Sequence, residues 1–336
     1  MNLSSLGVDF SGADFSGADL SGREFVDCRL IGANMTGCNL TGARILRCDC
    51  AGVNMADATL EGVVVEGSSF RRANLAHSQW LDATLAGVNF SCASLERASL
   101  IACAMKEIVW EGALLGRSLF QEITMQAVFE GVDLGMCQFH GCTLPGLSLV
   151  GARGTLFTLR NCSAENMTAR DCDLPQLLAP DANLNNARFE RCQLARAGFA
   201  GTALKNSLFA ACTLDEAHLC QCDLRNSFWH EVTAIRANLA GANMNAATLN
   251  RVNLSMADCS CSTWVGAGLQ GVNLTLANAH AVGFSSAEAV EVNMDQLRVT
   301  DPERLQAENF AMSEYVLSAS INTLEAGGKE HGRRSL

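Results

Sequence analysis

Residues 8–47 read VDFSG ADFSG ADLSG REFVD CRLIG ANMTG CNLTG ARILR, repeating every five residues with a small residue first and a large apolar residue third. Third positions fall on Phe10, Phe15, Leu20 and Phe25 and continue in register to Met125, which makes 24 units. One residue is then skipped, and the frame resumes at Ala127 with third positions from Phe129 to Val299, another 35 units. Leu, Phe, Met, Trp, Ile or Val holds the third place in 50 of these 59 units, and Ala, Cys, Ser, Val or Thr the first place in 51, so the period belongs to the whole chain.

A five-residue period fits neither the 3.6 of a helix nor the two of a long flat strand, so each unit must be a short extended piece followed by a turn. Positions one and three then point inward and position two outward, while Gly, Asn, Asp and Ser suit the corners. Units such as Ala13-Asp14-Phe15-Ser16-Gly17, Ala33-Asn34-Met35-Thr36-Gly37 and Ala237-Asn238-Leu239-Ala240-Gly241 resemble the A(D/N)LXX motif of the pentapeptide-repeat family over residues 8–301. The resemblance implies an all-β fold, a right-handed quadrilateral parallel β-helix with four units per coil. Fifty-nine units then give about 15 coils and a rod of roughly 70 Å at a strand spacing of about 4.8 Å.

If units four apart stack, residues twenty apart are neighbours. One interior column reads Phe10, Leu30, Cys50, Phe70, Phe90, Trp110, Phe129, Leu149, Ala169, Phe189, Phe209, Trp229, and the next is mostly Leu. Such ladders fill a tube and leave no central channel. The stretch 145–181 departs from the motif, with Gly154, Ala164, Ala169 and Ala179 at third positions and three of the four prolines, Pro145, Pro175 and Pro180. A bend or an outward loop is expected there, and a local offset near Gln126. Met167 and Leu177, two residues before Ala169 and Ala179, carry the missing bulk at first positions.

The expected organisation is a lead-in at 1–7, the repeats at 8–301, a helix at 302–326 opened by Asp301-Pro302, and a frayed tail at 327–336. Leu305, Met312, Tyr315 and Val316 lie on one side of that helix and are expected to cap the rod. Phe310, Leu317, Ile321 and Leu324 lie on the other and predict a homodimer through this helix.

Composition excludes several classes. With 49% hydrophobic residues the chain is not disordered, and no apolar run is long enough for a membrane span. The opening MNLSSLGVDF lacks a signal-peptide pattern, which places the protein in the cytoplasm. Of 16 cysteines, eleven take the small first position and Cys50 and Cys259 the third, so they read as core thiols of a reducing compartment; Cys92, Cys220 and Cys261 should face outward. His77, His140, His218, His230 and His280 map to outward or corner places on different coils, which argues against a metal site. No nucleotide loop, nucleophile elbow or zincin motif is present, so neither enzymatic activity nor a cofactor is expected.

Function therefore resides outside the rod. The reading favoured is a non-enzymatic scaffold that binds a protein partner, with Leu81, Ile101 and Leu119 on one face and Leu208 and Phe228 on another. The family resemblance implies kinship with bacterial members associated with virulence or secretion systems. It also implies two alternatives, a DNA-mimicking inhibitor or protector of gyrase and a secreted effector. Against DNA mimicry, the repeats hold 30 acidic and 20 basic residues, a net charge far below one per about 1.7 Å of duplex. The same acidic balance argues against direct nucleic-acid binding.

Overall fold

The computed structural model describes residues 4–308. They form a parallel β-solenoid of about 14 turns followed by one short helix at 302–308. Twenty three-residue strands mark the straight pieces. On the first side Ser4–Leu6, Glu24–Val26, Arg44–Leu46, Val64–Glu66, Thr84–Ala86 and Ala104–Lys106 pair in a six-stranded sheet. On the second side nine strands run from Val128–Glu130 to Glu288–Val290. Five strands from Gln79–Leu81 to Thr158–Arg160 make the fourth side, and isolated bridges such as Asp14↔Asn34 and Asn253↔Asn273 hold the third.

Each unit builds its side in the same way. The third-position side chain enters the core, and the second-position Asp or Asn points outward but turns back onto the chain. Asp9 Oδ1 accepts from the Ser11 N–H at 2.9 Å and Asp14 Oδ1 from that of Ser16 at 3.0 Å, which closes the turn. The fifth residue makes the corner in the left-handed region, whether it is Gly12 (φ +68°) or Arg47 (φ +51°). Asn and Asp twenty apart also join between coils, as Asn34 Nδ2 to Asp14 Oδ1 at 3.0 Å.

The axis is solid. Phe90 and Trp110 stack at 5.1 Å, Phe189 and Phe209 at 5.0 Å, and on the fourth side Phe120 and Phe139 at 4.5 Å. All four tryptophans are fully buried, and burial of such side chains is what holds the coils together.

The chain runs through 145–181 without the outward loop expected from its prolines and small residues. Ser148–Val150 pairs with Thr168–Arg170 and the latter with Arg188–Glu190, all in the twenty-residue register. The prolines are harmless because Pro145, Pro175 and Pro180 take fourth positions, whose N–H elsewhere meets a side chain rather than the ladder. The carbonyls of Pro175 and Pro180 still accept, from Leu156 N–H at 3.3 Å and from Asn161 N–H at 3.2 Å. Volume is conserved: Met167, Leu177 and Phe157 are fully buried at first positions where Ala169, Ala179 and Gly154 leave room.

At the skipped residue the unit Ile123–Gln126 has four residues, and one turn contracts to nineteen. Leu119 pairs with Gln138 and Thr124 with Thr143. The fourth-side sheet crosses this place intact, whereas the first-side sheet ends at Ala104–Lys106 and the second-side sheet starts at Val128–Glu130.

Gly154 occupies a third position at φ +140°, and a Cβ there would lie 2.3 Å from the Gly135 nitrogen. Gly131, at φ +61°, has open space around the same atom. Gly154→Ala is therefore expected to lower unfolding free energy by about 3 kcal/mol or more, and Gly131→Ala by only about 1 kcal/mol. Urea unfolding of the two variants checks this; equal costs would contradict the close approach of the two coils.

Candidate interaction surface

Because the core is filled, the chemistry that remains is on the outer sides. Among the described residues no group of His, Cys, Asp and Glu is placed to hold a metal ion, and no helix is long and apolar enough to cross a membrane.

The cysteines are free thiols, thirteen of them buried. They do more than stand in for Ala. A first-position thiol donates to the carbonyl of the third-position residue one coil earlier, as Cys28 to Ser5 at 3.2 Å, Cys48 to Phe25 at 3.3 Å and Cys212 to Phe189 at 3.3 Å. Ser68 makes the same bond with its hydroxyl, to Ile45 at 3.1 Å. Burial pushes the Cys137, Cys222 and Cys259 thiols up to about 12, so they stay protonated and unreactive. Cys92 and Cys261 are exposed and Cys220 half-buried, the three that the repeat turns outward.

The corner charges pair along columns. Arg47 meets Asp27 at 2.8 Å, Arg191 meets Asp171 at 2.6 Å, and Glu216 lies between Arg196 at 2.8 Å and Arg236 at 2.7 Å. The guanidinium of Arg47 holds the Asp27 carboxyl below its ordinary value, and Arg236 followed by Arg196 does the same for Glu216. Exposed pairs of this kind stabilise little, but they neutralise the acids they hold.

The sequence-predicted contact residues fall into two separate clusters. Leu81 pairs with Ile101 across adjacent strands, and Leu119 follows one coil on, opposite Ser99. Leu81 and Ile101 border a shallow depression of about 530 Å³ shared with Asp57, His77 and Arg97. On the second side Leu208 pairs with Phe228, which is 41% exposed and stacks on His230 at 6.3 Å. A third apolar cluster was not anticipated. Val109, Val128 and Val150, exposed by 46%, 60% and 37%, gather on the second side around the nineteen-residue turn. Outward valines in units four apart, on the coils flanking the short unit, were the available signal.

At the C-terminal end Asp301 caps the helix, its Oδ1 accepting from Glu303 N–H at 3.0 Å and Arg304 N–H at 3.2 Å. His280 is not outward as expected but buried, 3% exposed, because this helix lies against it. Its Nδ1 accepts from Asp301 N–H at 3.3 Å, so Nε2 carries the proton and donates to Glu308 at 3.1 Å. Arg304 and then His280 hold the Glu308 carboxyl below its ordinary value. Leu305 is half-buried; Phe310, Met312, Tyr315, Val316, Leu317, Ile321 and Leu324 lie outside the described residues.

A stack of twenty-residue parallel turns around a filled axis defines a β-solenoid repeat protein. The chain belongs to the pentapeptide-repeat family: the model for pentapeptide repeats matches residues 7–22, 24–62, 48–79 and 68–106, and that for a pentapeptide repeat region matches 182–259. Similar solved structures include HetL, a pentapeptide repeat protein involved in heterocyst differentiation regulation from the cyanobacterium Nostoc, at 17% identity over 84% of this chain and 87% of that one, with a TM-score of 0.23. The plasmid-mediated fluoroquinolone resistance protein QnrB1 is similar at 15% identity over 55% of this chain and 87% of that one, TM-score 0.35. A thylakoid-lumen pentapeptide repeat protein of Arabidopsis thaliana is similar at 31% identity over 33% of this chain and 66% of that one, TM-score 0.18. A search of curated proteins gives no match.

In the native protein, Ellman's reagent at about pH 8 is expected to label no more than the three outward thiols, and all sixteen after denaturation. Rapid labelling of more than three before unfolding would show that the coils open where the structure closes them.

Proposed function

We propose that the protein is a non-enzymatic scaffold that holds another protein against its flat outer sides. The observation that carries this reading is the Leu208–Phe228 pair, two large apolar groups on a sheet surface with Phe228 stacked on His230 in water rather than in the core. Leu81 and Ile101 supply a second apolar site on a different side. Membership of a repeat family that is not a known enzyme class supports the same reading. The DNA-mimic alternative is disfavoured by the column pairing of Asp27, Asp171, Glu216 and Glu231 with arginines, which neutralises part of the acidic surface.

Phe228→Arg and Leu81→Arg are exposed changes that should leave the fold intact. Each is expected to remove a protein that the wild type captures from lysate of the source cells, compared band by band. Identical capture by wild type and both variants would remove these sides as contact sites. The sequence-based dimer through Phe310, Leu317, Ile321 and Leu324 belongs to the same proposal. Light scattering at micromolar concentration should return twice the 35.7 kDa chain mass, and a single-chain mass would defeat it.

A further inference from the structure

The nineteen-residue turn leaves a notch at the corner between the first and second sides, with a volume of about 690 Å³. We propose that this notch docks an extended, basic segment of a partner protein, which adds a strand to the interrupted ladder. The proposal deepens the scaffold reading and rests on it.

Four observations meet at this place. The first is backbone supply. In the preceding coil Gly87 N–H donates to Lys106 C=O at 2.9 Å and Phe90 N–H to Val109 C=O at 2.8 Å. Among the described residues no backbone hydrogen bond joins 105–110 to 125–128; this gap is bounded by the bridge Ala104↔Thr124 on one side and by Gly112 N–H donating to Glu130 C=O at 2.9 Å on the other. The facing peptide groups inside this gap thus lack ladder partners, which is what an added extended segment supplies.

The second is an apolar lining. Met105, Ile108 and Met125 line the notch with Val128, and Val128 continues into the exposed cluster with Val109 and Val150. Trp110 and Phe129, at 5.9 Å, place Val109 and Val128 on successive coils, and Val150 lies opposite Glu130 one coil further. Apolar side chains gathered with the notch lining mark a contact surface where isolated apolar residues do not.

The third is charge. Glu107 lines the notch, paired at 3.4 Å to Lys106, the one cation in the lining, and Glu111 and Glu130 are exposed further along the second side. Among the described residues neither Glu111 nor Glu130 has an ion-pair partner, whereas Asp27, Asp171 and Glu216 do. Lysine or arginine in the docked segment supplies the missing charge.

The fourth is an orphaned donor. Trp80, Trp229 and Trp264 each donate Nε1–H to a serine two residues earlier, at 2.8, 3.0 and 2.7 Å. Trp110 has Ile108 there instead, on the notch wall, and its Nε1 is buried without a partner. Such a donor is costly to leave unmade, and a carbonyl entering beside Ile108 is the acceptor it lacks.

The test uses the full chain and a fluorescein-labelled, end-capped heptapeptide alternating lysine and valine, followed by fluorescence anisotropy. Saturable binding is expected, about tenfold tighter than that of the same peptide with glutamate for lysine. Insertion of one Gly after Gln126 restores a five-residue unit, and it should close the notch, raise the Tm and abolish binding. Val128→Lys and Glu130→Lys, both at exposed places, should each weaken binding without that insertion. Equal binding of the two peptides, no binding of either, or binding undiminished in the closed variant or in both lysine variants overturns the proposal. If that happens while capture at Leu81 and Phe228 persists, the notch alone is wrong; loss of both results removes the scaffold reading as well.

Discussion

Everything in the molecule depends on one packing constraint: each coil has a fixed interior volume that its four third-position and four first-position side chains must fill between them. The bulky group need not sit at a fixed place so long as the sum is kept. Phe157 compensates for Gly154, and Met167 for Ala169, without disturbing the strand pairing on either side. Close packing makes this exchange obligatory, since a void or an excess of even one methylene is felt in an interior of crystal-like density. The backbone ladder is the second half of the constraint, and it explains why Pro is admitted at fourth positions, where the ladder asks for no donor.

Much of this was legible in the sequence because a period of five leaves few geometric options. The aromatic column through Phe189, Phe209 and Trp229 is in the structure as strand pairing requires, and Asp301 followed by Pro302 reads directly as a helix start. What could not be read depended on contacts between elements far apart in sequence or on interactions too small to leave a pattern. His280 reads as an outward residue because its burial is created by Glu308 and its neighbours, twenty-eight residues later. The outward loop expected at 145–181 is absent because each proline sits at a fourth position, where its missing N–H costs the ladder nothing, and residue type alone does not show this. Thiol donation to the previous coil is invisible when Cys and Ala are treated as equivalent small residues.

The candidate surface shows the same division. Leu81, Ile101, Leu208 and Phe228 were identifiable because position within the unit determines which way a side chain faces. The notch was not, although the missing residue was seen, because its consequence depends on which corner absorbs the deficit. The fourth-side sheet passes Leu119 to Gln138 without interruption, so the whole cost falls on the opposite corner beside Glu107 and Gln126. There the apolar lining of Met105, Ile108, Met125 and Val128 meets the gap in the ladder, with the unsatisfied indole of Trp110 two residues beyond Ile108.

The corner at every fifth residue also makes the solenoid a device for setting angles. Excising one complete unit between Leu119 and Leu208 would swing everything downstream by a quarter turn about the long axis, carrying Phe228 onto a neighbouring flank relative to Leu81. Excising four would restore the bearing and shorten the molecule by a single step of about 4.8 Å. Bearing and separation of two attached molecules are thus encoded independently, one by the remainder of the unit count and the other by its quotient.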